Sequence, residues 1–164
     1  IEAGENKLSQ NTFSLSGLLE KTIKQAARSS SEYDFEVHFN IDERLYSKYR
    51  ADKRLTTTVI YLLIETVIES NMTGDIHLFA APSGENLNLL EFYAGNQQAT
   101  KTYEKKKHDI SQETSDMHAG SRTIGISASL LKKAVALMRG RFFTTKLNSN
   151  LTVFSITVPM KGIE

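Results

Sequence analysis

The stretch from Ala51 to Asn71, ADKRLTTTVIYLLIETVIESN, constrains the fold more than any other part of the chain. Leu55, Val59, Leu62, Leu63 and Val67 recur at helical spacing, and Ile60, Ile64 and Ile68 widen that face until little of the helix is left for water. A helix this apolar has to be sandwiched between other elements. Its polar exceptions, Thr57, Tyr61, Glu65 and Glu69, follow one another at intervals of four and so stack along one edge. Whatever the helix presents to a cleft, it presents along that line.

Composition narrows the class of protein. With 164 residues, 40% of them hydrophobic and 24% charged, the chain suits one globular domain with a substantial core. A formal net charge of +1 is too balanced for nucleic acid or an anionic membrane surface to be the main partner. The absence of cysteine excludes disulfides, thiolate metal sites and a cysteine nucleophile. No apolar run approaches the ~20 residues of a membrane helix, so direct membrane contact is not expected. The chain opens on Ile1 rather than methionine. It therefore reads as a piece of a larger protein, whose missing part could hold any anchor or signal, and the lack of cysteine fits the reducing, cytoplasmic compartment expected for it.

In chain order, residues 1–12 are polar and read as a linker from a preceding helical element, with the domain proper over 13–164. SLSGLLEKTIKQAARSS carries Leu15, Leu18, Leu19, Ile23 and Ala26 on one helical face, with Ser14 as N-cap. Phe35, Val37, Phe39 and Ile41 alternate with polar residues as a half-buried strand requires. A polar loop over 42–50 leads to the central helix. Two further strands, Asp75 to Ala81 and Leu87 to Tyr93, flank the turn residues Pro82 to Glu85. Residues 96–122 are polar and aperiodic and predict a long lid-like loop. Ile126, Leu130, Leu131, Ala134, Leu137 and Met138 mark another amphipathic helix, ended by Gly140. The last two strands, Arg141 to Leu147 and Leu151 to Val158, close as a hairpin around Asn148 and Asn150.

This order predicts an α/β (α+β) two-layer sandwich, with a mixed, largely antiparallel sheet and helices on one face. At this level the chain resembles the ATP-binding catalytic domain of bacterial sensor histidine kinases, the GHKL or Bergerat-type ATP-binding fold shared with gyrase, Hsp90 and MutL. The resemblance runs from IEAGENKLSQNTFSLSGLLEKTI to LTVFSITVP. Asp52, Arg54 and Leu55 fall where that family opens its central helix with Asp-x-x-Arg-Leu, and GISASLLKKAVALMRGR is similar to its glycine-rich box and the helix that follows.

The residues that carry the family's chemistry are altered. Where the resemblance implies an Asn-Leu-Leu-x-Asn-Ala core holding magnesium, this chain has Tyr61-Leu62-Leu63-Ile64-Glu65-Thr66. Both asparagines are replaced, and only Glu65 keeps an oxygen suited to a hard cation. The adenine-reading Asp-x-Gly-x-Gly box aligns with Tyr93-Ala94-Gly95-Asn96-Gln97, and Tyr61 and Tyr93 are placed to fill or line the old pocket. The phosphate-cradling glycine box reduces to Thr123-Ile124-Gly125-Ile126-Ser127, with Gly125 its one glycine. At about 1.5 to 3 kcal/mol per charged hydrogen bond, losing all three boxes removes about 4 to 9 kcal/mol. That corresponds to roughly three to six decades of affinity.

None of His38, His77, His108 or His118 stands in the His-Glu/Asp-x-x-x-Pro setting of a phosphoacceptor. His38 and His77 read as strand-surface imidazoles. The pair His108 and His118 lacks the carboxylate spacing of a metal site, and no metal is expected.

The sequence thus reads as a degenerate, pseudo-ATPase domain of a sensor histidine kinase-like protein in two-component or phosphorelay signalling. Tyr61, Glu65, Tyr93, Gly95, Gly125 and Ser127 are its vestigial pocket positions, with no catalytic residue and no cofactor expected. The resemblance implies as partners a response regulator or the parent's own helical phosphotransfer domain, within a homodimeric parent protein. The rival reading is an atypical active kinase domain that binds ATP and magnesium, in which Glu65 holds the metal and the long loop closes over the nucleotide.

Overall fold

The computed structural model describes residues 9–29, 35–70, 73–109, 125–148 and 150–164. In chain order these form β1 (Asn11–Ser14), α1 (Leu15–Ser29), β2 (Val37–Ile41), β3 (Lys48–Ala51), α2 (Lys53–Glu69), β4 (Ile76–Ser83) and β5 (Asn86–Asn96). They continue with α3 (Gln97–Asp109), α4 (Ile126–Leu137), β6 (Arg141–Asn148), β7 (Leu151–Pro159) and β8 (Lys161–Ile163). No described helix is long and apolar enough to cross a membrane.

Five strands make the main sheet in the order β2-β4-β5-β7-β6, with β2 parallel to β4 and every other pair antiparallel. The two hairpins form where turn chemistry predicted them. Gly84 takes the left-handed φ of 64° between β4 and β5. At the other turn Asn148 Oδ1 accepts from the Asn150 and Leu151 amides. Helices α1, α2 and α4 lie on one face of the sheet, where Val59, Ile60, Leu63 and Ile64 of α2 meet Leu78, Phe92 and Ile156 in a single core.

Two of the three helix starts expected from sequence, those of α1 and α2, are capped by a side chain. Ser14 Oγ accepts from the Gly17 amide at 3.1 Å, and Asp52 Oδ1 from the Leu55 amide at 2.9 Å. Such caps satisfy donors that the first helical turn leaves free.

Three features differ from the sequence reading. Asn11–Ser14, Lys48–Ala51 and Lys161–Ile163 form a small antiparallel sheet in the order β1-β3-β8, so the domain's structure reaches into the segment taken as linker and into the loop over 42–50. Tyr49, fully buried, ties this sheet to the large one by donating its hydroxyl to the Leu87 carbonyl at 2.8 Å.

The segment from 97 to 109 is helix α3 rather than loop. Asn96 Oδ1 caps it by accepting from the Ala99 amide at 2.8 Å. The rest of the expected loop, and His118 with it, falls outside the described residues.

Finally, α3 covers the sheet face opposite α2, where Ala99 and Tyr103 pack on Tyr93, Leu151 and Val153. It adds a partial third layer to the two that the pattern of elements predicts.

Candidate functional site

The polar edge of α2 ends against the start of α4. Glu69, in its last turn, directs its carboxylate at the first turn of α4, where Oε2 accepts from Ser127 Oγ at 2.6 Å and Oε1 from the Ser127 amide at 3.2 Å. Gly125 is the N-cap residue of α4 and makes no side-chain cap bond. A methyl group on it would lie 2.5 Å from Glu69 Oε1, so glycine leaves room for the incoming carboxylate. Amides at a helix N-terminus carry partial positive charge and attract anions. In this fold that anion is supplied by the chain itself.

One turn earlier along the same edge stands Glu65, hydrogen-bonded by Tyr61. Partial burial pushes the Glu65 carboxyl above its ordinary range; the Tyr61 bond opposes this and the Glu69 charge adds to it. The folded protein binds the Glu65 proton more tightly than the unfolded chain, so Glu65 contributes stability on the acid side that fades as pH rises past the ordinary 4.5. Glu65→Gln is expected to gain stability relative to wild type as pH is raised from about 4 to about 7. Urea midpoints of both proteins across that range check it.

Of the six candidate positions, the structure brings Tyr61, Glu65, Gly125 and Ser127 to one region, linked through Glu69. The other two, Tyr93 and Gly95, do not join them. Along β5 the residues turned toward α2 are Leu90, Phe92 and Ala94, which belong to the main core. Tyr93 points through the opposite face, so it neither fills nor lines a pocket beside Tyr61. Gly95 is also on that face, where an added methyl would sit 3.3 Å from Ala99 Cβ of α3 and 3.1 Å from the Thr152 carbonyl oxygen. Facing α2 at this end of β5 is Ala94, whose methyl offers no hydrogen-bond acceptor to a base. Glu69 was visible in the sequence as the last member of the polar line, but its role depends on where α4 docks.

Tyr93 belongs to a second polar cluster beneath α3. Its ring stacks on Phe79 at a centroid separation of 5.0 Å, and its hydroxyl donates to Glu104 at 2.7 Å. Buried Glu91 accepts from the Tyr103 hydroxyl at 2.5 Å and pairs with the Lys107 ammonium, which also lies 4.7 Å from the Tyr93 ring centroid. Burial, reinforced by Glu104 and Glu91, pushes the Tyr93 hydroxyl well above its ordinary range. Burial and Glu91 do the same for Tyr103, so both remain donors. The cluster fastens α3 to the sheet.

Two open grooves lie away from the Glu69 region. The larger, about 670 Å³, runs between α1 and the first turns of α2 and is lined by Lys21, Gln25, Lys53, Arg54 and Thr57 among others. The second, about 520 Å³, lies between Arg50, Asn88, Arg139 and Met160.

The fold matches that of solved histidine kinase catalytic domains. The chain is similar to the Acinetobacter baumannii histidine kinase AdeS, with a TM-score of 0.66 at 11% identity over 94% of this chain and 68% of that one. It is similar to full-length ShkA, solved in complex with AMPPNP, with a TM-score of 0.67 at 13% identity over 96% of this chain and 32% of that one. The catalytic domain of the histidine kinase ThkA, in a nucleotide-free form, gives a TM-score of 0.60 at 18% identity over 96% of this chain and 100% of that one. At these identities the likeness is one of fold, and the chain spans about a third of ShkA. No protein-family model matches the sequence, and no curated protein matches it.

Proposed function

We propose that this domain is a pseudo-ATPase of a histidine kinase-like protein, acting in two-component or phosphorelay signalling through protein contacts and without nucleotide turnover. The observation that carries the reading is the Glu69 carboxylate seated on the first turn of α4 through the Ser127 amide and hydroxyl. An incoming triphosphate has to displace this internal anion and then sit beside it and Glu65. Like charges ~4 Å apart repel by about 1 kcal/mol in water and about 4 kcal/mol near a protein surface. Tyr61 and Glu65 in place of two metal-binding amides, and Ala94 facing α2 from β5, support the same reading.

On this account the domain serves a response regulator, or the helical phosphotransfer domain of its own parent protein, as a docking surface. The parent is a homodimer whose signalling part lies in the cytoplasm. Calorimetric titration with ATP and with a non-hydrolysable analogue, with and without magnesium, is expected to give no saturable heat up to millimolar nucleotide. Magnesium-dependent binding in the micromolar range, abolished by Glu65→Gln, would instead establish the active-kinase reading with Glu65 as metal ligand.

A further inference from the structure

Strands β2 and β4 lie side by side in parallel, with Val37 opposite Ile76 and His38 opposite His77. Each is led by the same kind of triplet, Glu36-Val37-His38 in one and Asp75-Ile76-His77 in the other. Because side chains alternate across a strand, Val37 and Ile76 turn to the core, and the carboxylates and imidazoles share the opposite face. His38 and His77 are 39 residues apart in sequence, and parallel pairing in this register makes them neighbours, with ring centroids 5.1 Å apart.

We propose that Glu36, His38 and Asp75 form a binding site for a divalent transition-metal ion, of which Zn²⁺ fits best. One ligand atom from each of the three lies within 4.8 Å of the others. His38 Nε2 is 3.3 Å from Asp75 Oδ2 and 3.5 Å from Glu36 Oε1. Zinc bonds of about 2.0–2.1 Å to nitrogen and oxygen in tetrahedral geometry place adjacent ligands about 3.3–3.4 Å apart. The observed separations therefore match two edges of the coordination tetrahedron.

Asp75 is also held in the orientation such a site needs. The Glu36 amide donates to Asp75 Oδ1 at 2.9 Å, and Oδ2 is the oxygen directed at His38. Support of this kind fixes metal-ligating carboxylates in general. The His38 and Asp75 side chains are 46% and 44% exposed and Glu36 77%, so an ion reaches them from solvent without opening the fold. Two carboxylates flank one imidazole, and among the described residues neither carboxylate pairs with a lysine or arginine. An imidazole in the ligand set selects zinc and its transition-metal neighbours over magnesium or calcium. Water takes the fourth position, with His77 beside it. Binding pins the edge strand β2 to β4 at its N-terminal end, on the face of the sheet away from Glu65 and Glu69.

The test is calorimetric titration of the metal-stripped full chain with Zn²⁺. One ion per chain is expected, with affinity weakened at least about tenfold in His38→Ala and in Asp75→Asn. A His108→Ala/His118→Ala double variant should retain wild-type affinity. The three ligand side chains are solvent-exposed, so the variants should keep the wild-type far-UV circular dichroism. Absence of saturable Zn²⁺ binding overturns the proposal. So does binding that survives both single substitutions, or binding that is lost in the double variant.

Discussion

Phe92→Ala is expected to lower the free energy of unfolding by about 3–5 kcal/mol. Phe92 is fully buried on β5, the middle strand of the five, and shares a core with Ile60, Leu63 and Ile64 of α2. Truncation removes the ring's contacts and leaves a cavity between sheet and helix that a close-packed interior cannot fill without moving one of them. Against a total stability of about 5–15 kcal/mol for a natural domain, the loss removes a large fraction of the folded-state advantage. Urea denaturation followed by circular dichroism measures it. A loss below about 1 kcal/mol would mean that the helix layer collapses onto the sheet and heals the cavity.

Gly140→Ala is the second large effect. A methyl group at this position would lie 2.2 Å from the Thr157 carbonyl oxygen and 2.8 Å from Val158 Cγ1. The first obstacle is backbone in the β6–β7 pair, where Arg141 faces Thr157, so relief requires the start of that pairing to open. Overpacking of this kind costs roughly 1–3 kcal/mol, and the rigid carbonyl places this case at the upper end, about 3 kcal/mol. A shift in the urea midpoint at unchanged slope reports it. Gly140 stands where a glycine is expected to let α4 stop, yet the left-handed residue there is Arg139, with φ of 64°. Gly140 is required for space, and Arg139 bears the backbone strain.

Elements with a long, regular apolar period were legible. The apolar width of α2 announced a sandwiched helix, and the alternation in 35–41 announced a half-buried strand. β5 was harder, because its sequence Leu89-Leu90-Glu91-Phe92-Tyr93-Ala94 is apolar on both sides once α3 covers the second face. The alternation that assigns residues to faces is blurred in such a strand, and Tyr93 was placed on the wrong one. Helix α3 was missed for a related reason. Its contact with the sheet runs through Ala99, the Tyr103 ring and the Lys107 ammonium, four apart, and a stripe made of one methyl, one phenol and one cation does not register as apolar. Asn96 as a cap before good helix formers was the available signal. The strands β1, β3 and β8 are three or four residues long, too short to show a period. The site divided along the same line. Tyr61 and Glu65 were readable from the register of one helix, whereas Glu69 on Ser127 and the pairing of two carboxylate-apolar-imidazole triplets depend on tertiary docking.

Glu69 occupies the N-terminal turn of α4 through the Ser127 amide and hydroxyl. The most direct measurement is the backbone amide resonance of Ser127 in nuclear magnetic resonance spectra recorded while ATP and magnesium are added. The amide is expected to keep its position up to millimolar nucleotide and to move in Glu69→Ala, which removes its acceptor. A saturable shift of Ser127 in the wild-type protein at micromolar ATP would contradict the account, because it would mean that the triphosphate displaces the carboxylate.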